Sequence, residues 1–269
     1  MMSDSRAEFE DFLERYIDNV SQGMRERWAL YRPDTYNHEG SDAIAGLVAR
    51  QATLAIEFAQ NPGIWNGNLA PLVLRAMTDT HITLAWILKN PIDRGREYIK
   101  YGLGQEKLQI ELLENEEENI PDEEKHPALS ELIEHRRQWL NSQLQEWAID
   151  VNVGSWSGKS TRDMAMEAGC ESLYKFAYMP FSGAAHSMWQ HVGIYNVERC
   201  KRALHKGHRI PQILSFSPDI DYLYRSSKYV SRTYSALSSE LGLQVETILP
   251  VEFFLQERDR LNGAGNDGE

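Results

Sequence analysis

The sequence predicts an all-α fold, a single-domain antiparallel bundle of about seven to nine helices. Apolar residues recur at three- and four-residue steps through most of the chain. No stretch alternates long enough to demand a sheet, and the breaks between periodic stretches are short and hold Pro, Gly or Asn. With 269 residues, 42% of them hydrophobic and 25% charged, the chain can bury one substantial core.

Residues 6–30 form the first expected helix, with Phe9, Phe12, Leu13, Tyr16, Ile17, Val20, Met24 and Trp28 on one face. Ser41 or Asp42 caps a second, which turns Ile44, Leu47, Val48, Leu54 and Phe58 inward and stops at Asn61-Pro62-Gly63. From Pro71 to Leu88 the pattern is apolar nearly all round, which marks a central helix. Asn90-Pro91 breaks it, and long helices over 93–118 and 128–147 flank an acidic loop at Pro121. A Gly- and Ser-rich loop runs from Asp150 to Gly158, after which Ser160 or Thr161 caps a short helix to Glu167. Tyr174, Tyr178, Ser182 and His186 follow at four-residue steps, and Pro180 must kink or split that ladder. Residues 194–206 read as helical, 207–218 as a loop and 219–241 as the last long helix. VETILPVEFFL suggests a short extended piece before a disordered tail at 262–269. The expected division is an N-terminal helix in 1–40, a core in 41–190 and C-terminal helices in 191–261 packed on that core.

Net charge is −12, which argues against nonspecific nucleic-acid binding over the whole surface. Residues 111–124 carry eight acids and no base, so the remainder sums to −4 and leaves room for a local basic groove. No apolar run approaches a membrane span, and the acidic N-terminus lacks the order of a signal peptide. With only Cys170 and Cys200 present, a cytoplasmic protein without a disulfide framework is expected.

The chemistry-bearing motifs are sparse. GSWSGKS at 154–160 resembles a phosphate-binding loop but has Val153 where the first glycine belongs. A capped helix start with Lys159, Ser160 and Arg162 still suits one phosphate, and Trp156 is the adjacent packing anchor. His186 and His191 point in different directions on a helix, and His205 and His208 straddle Gly207, so no metal site and no cofactor are expected. Arg75 and Asp79 lie one turn apart on the central helix, as a structural ion pair or as a polar cluster aimed into a cleft. Arg199-x5-His205 and Arg202-x5-His208 resemble the loose arginine-to-histidine spacing of the HEPN superfamily of helical RNA-cleaving toxins and defence nucleases. Cys200 and Ala203 stand where that superfamily commonly has a polar residue.

Three stretches share an order and spacing: 75–103 (RAMTDTHITLAWILKNPIDRGREYIKYGL), 156–169 (WSGKSTRDMAMEAG) and 174–187 (YKFAYMPFSGAAHS). Together they resemble the bacterial family called domain of unknown function 5677, over about residues 41–190. The resemblance implies an all-helical bacterial protein, with Arg75, Trp156, Ser157, Tyr174, Tyr178, Ser182 and His186 at matching positions. A role in phage defence or as a toxin is a distant analogy.

The leading expectation converges Arg75, Asp79, Tyr178, Ser182 and His186 on a cleft that binds or cleaves RNA or a nucleotide without a metal. There His186 is the general acid/base, Arg75 the charge stabiliser and Asp79 its orienter, while Lys159, Ser160, Arg162, Trp156 and Tyr174 hold the ligand. The alternative is a non-catalytic partner-binding or assembly module whose buried polar cluster fixes helix register. A homo-oligomer or protein partner, with no membrane association, completes the expectations.

Overall fold

The structure is a computed structural model and describes residues 2–33, 36, 38–147, 157–204 and 207–264. In chain order its helices are α1 (Met2–Leu30), α2 (His38–Gln60), α3 (Ala70–Ile87), α4 (Pro91–Asn119), α5 (Pro127–Trp147) and α6 (Thr161–Glu167). There follow α7 (Glu171–Leu173), a π-helical segment (Tyr174–Tyr178), α8 (Met179–Ala185) and α9 (Trp189–Tyr195). Strands β1 (Val197–Arg199) and β2 (Arg209–Pro211) precede α10 (Asp221–Leu241) and α11 (Pro250–Ala264). The all-α class is as the sequence predicts.

Two compact units divide the chain. The first takes residues 1–32, 45–89 and 161–269; the second takes 33–44 and 90–160.

In the first unit α3 is central because it has no polar face to give to water. Leu74, Met77, Ile82, Leu84 and Ile87 are all buried, and α10, α8 and α6 pack around it. On α10, Leu223, Val230, Tyr234 and Leu237 fall at helical spacing and are buried. Gly242, with φ 65, ends that helix in the left-handed conformation a glycine adopts at little cost. Arg27 of α1 is only 3% exposed and donates to the Tyr234 carbonyl (3.2 Å), Ser238 Oγ (3.0 Å) and the Gly23 carbonyl (2.8 Å). These acceptors and the Tyr234 ring beneath it replace water around a buried cation. Burial still pulls the Arg27 pKa below its ordinary value.

In the second unit Leu103, Ile110, Ile133 and Leu140 form the core between α4 and α5. Ion pairs from Arg136 to Glu106 and from Arg137 to Glu114 run along this pair. Near the start of α4, Gly40 and Gly95 let two backbones meet, since a Cβ on Gly95 would lie 2.6 Å from the Gly40 Cα. Glu39 beside them accepts from Arg96 Nε (3.0 Å) and Nη2 (2.7 Å). Burial raises the Glu39 pKa, but its own amide and Arg96 outweigh that and hold it below the ordinary carboxylate range.

Several local expectations are corrected. Residues 197–204 are not helical: α9 ends at Tyr195, and β1 pairs antiparallel with β2 in the register Val197↔Pro211, Glu198↔Ile210, Arg199↔Arg209. Val197 and Ile210 suit strands, and Gly207, with φ 84, turns the chain between them. The last long helix is α11 rather than α10, so VEFFL is not extended. Pro250 opens α11, Glu252 lies in its first turn, and the Leu249 amide donates back to Glu252 Oε2 (3.3 Å). The helix runs three residues into the expected tail, whose remainder, 265–269, lies outside the described residues. Pro180 does disturb its ladder, as a π-helical turn immediately before α8. Among the described residues no helix is long and apolar enough to cross a membrane.

Candidate functional site

Arg75 projects from α3 toward the π-helical segment and α8. Its Nε donates to Ser182 Oγ at 2.8 Å, and Nη1 pairs with Asp79 Oδ2 one turn along the same helix. The guanidinium carbon lies 3.2 Å from the centroid of the Tyr178 ring, an arginine stacked on an aromatic face. The π-helical turn places Tyr178 and Tyr174 one above the other, with ring centroids 4.9 Å apart. Tyr178 donates its hydroxyl proton to Thr161 Oγ1 at 3.3 Å, which ties α6 to the same cluster. Ser182 donates to the Tyr178 carbonyl (2.8 Å), so its oxygen remains free to accept from Arg75. Arg75 is 14% exposed and Asp79 46%. Burial raises the Asp79 carboxyl above its ordinary range, and Arg75 opposes that rise.

Of the expected site residues, Arg75, Asp79, Tyr178, Ser182 and Tyr174 therefore come together. His186 does not join them. Its amide closes the end of α8 on the Ser182 and Ala184 carbonyls, and its side chain is exposed. Arg162 is exposed on α6. Lys159 and Ser160 belong to the second compact unit, where Ser157 Oγ accepts from the Lys159 amide at 3.1 Å in an exposed turn. Trp156 and His205 lie outside the described residues. Arg199 sits on a strand of the hairpin, and Arg202 and His208 sit in the turn and its margin, so this arginine-histidine spacing is not displayed on a helix.

A second polar network on α3 was not foreseen. His81 is buried, with Nδ1 3.1 Å from Thr233 Oγ1 of α10. Burial, then the charge of Arg232, lowers its pKa from 6.5 to about 4. Nearby Cys170 is pushed up to about 11 by burial, which keeps it a thiol. The sequence offered one signal: Lys228 and Arg232 set like charges four residues apart on a helix, where they repel. Among the described residues no group of three His, Cys, Asp or Glu is placed to hold a metal.

The family described as "Family of unknown function (DUF5677)" matches residues 41–200. The chain belongs to this family. The match covers the Arg75 cluster and the His81 end of the second network, and it leaves α10, with Thr233, and α11 outside. No curated protein and no solved structure matches the chain.

Proposed function

We propose that this member of the family is a non-catalytic helical binding module, in which the Arg75 cluster fixes how the π-helical segment and α8 dock on α3. The engagement of the Arg75 guanidinium carries this reading. Its Nε is bound to Ser182, Nη1 to Asp79, and its face to the Tyr178 ring. A charge stabiliser in phosphoryl chemistry aims its donors at the place where charge develops. A general acid/base sits within hydrogen-bond reach of the proton it moves. The exposed His186 joins none of the Arg75 contacts, which favours a structural cluster over an RNA-cleaving cleft. A toxin or defence-nuclease role depends on that cleavage chemistry and is the weaker reading for the same reason. We place the protein in the cytoplasm, in keeping with a sequence that holds two cysteines and so no disulfide framework.

The test pairs stability with RNA cleavage. Arg75→Ala should cost about 1–3 kcal/mol in urea denaturation, since it strands Ser182 and Asp79 and unstacks Tyr178. His186→Ala should melt with the wild type. Total RNA and tRNA should stay intact with every protein, with or without EDTA. Cleavage by the wild type that disappears in a folded His186→Ala protein would overturn the proposal.

A further inference from the structure

The α6–α7 turn and α10 both pack in the first unit around α3, and a cavity of about 460 Å³ opens between them. His81 and Ala85 come from α3, Gly169 and Cys170 from the turn, and Lys228, Arg232 and Ser235 from α10. Across Lys228 and Arg232, which line both, lies a second cavity of about 280 Å³. Phe176 stands on one wall of this second cavity and Tyr224 on the other. The larger volume falls in the range of small-molecule sites, roughly 300–1,000 Å³.

The charges of this groove are unbalanced. Lys89 is paired with Glu240 (2.5 Å) and Arg225 with Asp221 (2.6 Å). Among the described residues Lys228 and Arg232 have no carboxylate partner; Lys228 only lies over the Tyr224 ring, 5.1 Å from its centroid. Two like charges one turn apart destabilise a helix, so an anion seated between them relieves a repulsion that the fold leaves standing. Phe176 is 81% exposed, an apolar ring beside this cationic pair with nothing to cover it. A flat ring stacked there completes its burial.

We propose that this groove binds a nucleoside monophosphate, with Lys228 and Arg232 holding the phosphate and Phe176 stacking the base. The site is the ligand end of the binding-module reading and rests on it. Ser235 adds a hydroxyl to the phosphate side. His81 lines only the first cavity and stays outside the ligand contacts: Thr233 gives its one hydroxyl proton to the Tyr229 carbonyl (3.2 Å), so Nδ1 of His81 donates to Thr233.

Isothermal calorimetry on the full chain tests this with adenosine 5′-monophosphate, adenosine and inorganic phosphate. The monophosphate should bind saturably and more tightly than either fragment. Lys228→Ala and Arg232→Ala should each weaken it by about ten-fold or more, the loss of a charge-assisted contact. Phe176→Ala should weaken it by about five-fold or more through lost stacking. None of the three variants should melt below the wild type, since Phe176 is exposed and loss of either cation removes a repulsion. Absence of saturable binding by the monophosphate, or equal affinity in Arg232→Ala, overturns the proposal. Phosphate binding that is as tight as the monophosphate and indifferent to Phe176→Ala overturns the nucleotide assignment. None of these results touches the Arg75 stability test, so failure here is distinguishable from failure of the binding-module reading.

Discussion

Acid should destabilise this protein through His81, and the size of the effect follows from its surroundings. The residue is buried, and its Nδ1 proton is committed to Thr233, so the folded state holds it neutral. A second proton would place a cation in the core, facing Arg232. Burial first and Arg232 second bring its pKa from 6.5 down to about 4. The unfolded chain takes up the proton near pH 6.5, whereas the folded chain resists until about pH 4. The His81 contribution is therefore fully present above pH 6.5, is lost as pH falls toward 4, and changes no further below that. At 1.36 kcal/mol per unit the whole window amounts to about 3 kcal/mol, and about 2 kcal/mol of it is lost by about pH 5.

Urea denaturation followed by circular dichroism measures this at about pH 7.5 and about pH 5 for the wild type and His81→Asn. Asparagine keeps a donor close to the Nδ1 position and does not titrate. The wild type should lose about 2 kcal/mol more than the variant between the two conditions. Other acid-sensitive groups cancel in the comparison, and Cys170, the thiol beside it, titrates far above the window. Equal losses in the two proteins would refute the reasoning and place His81 in a solvated setting.

The remaining predictions concern the helix contacts. Arg15 donates to both Glu257 oxygens (2.7 and 2.6 Å), and that bond, with Arg260 adding to it, outweighs burial and holds Glu257 below the ordinary carboxylate range. Its stability is present above the unfolded carboxylate pKa and lost as pH falls through the folded one, so Glu257→Gln should cost about 1–3 kcal/mol at neutral pH and flatten the acid limb of a denaturation series. Gly95→Ala should cost about 1–3 kcal/mol in thermal melts, because its Cβ would meet the Gly40 backbone. Gly102→Ala, on the same helix with nothing within 4 Å, should instead stabilise by about 0.5–1 kcal/mol.

Helix existence was legible because long amphipathic periods report burial directly. The centrality of α3 followed from its lack of a polar face, and Tyr174, Tyr178 and Ser182 fell together with Arg75 because four-residue steps share a helix face. What failed was short-range. The pieces after Tyr195 are only a few residues long, and there a strand and a helix turn have the same apolar content. The extended piece expected over VETILPVEFFL contains Pro250, and proline is at home in the first turn of a helix. His186 follows the same four-residue arithmetic as Ser182, but α8 ends at Ala185, and beyond the last helical residue the arithmetic no longer applies. The role of His81 is not legible locally, because its partner, Thr233, is 152 residues away, a pairing no local pattern encodes.

A helix that is apolar nearly all round has a problem of its own: no amphipathic stripe dictates its rotation, and a sliding or turned α3 would bury much the same area. The polar residues on α3 remove that freedom. Arg75 is bound to Ser182 of α8, His81 to Thr233 of α10, and the Trp86 indole donates to Glu167 of α6 at 2.7 Å. With 3.6 residues per turn, Arg75 and Trp86 share a face about 16 Å apart along the axis, while His81 lies about 120° round from them. Two fastenings on one face fix the height and tilt of the helix, and a third on another face fixes its rotation. Each leaves a polar group unsatisfied if α3 turns by even one residue, at about 1–3 kcal/mol per group. On the binding-module proposal the polar residues of α3 serve docking specificity, and the uncompensated cations of α10 are left as the feature that calls for a ligand.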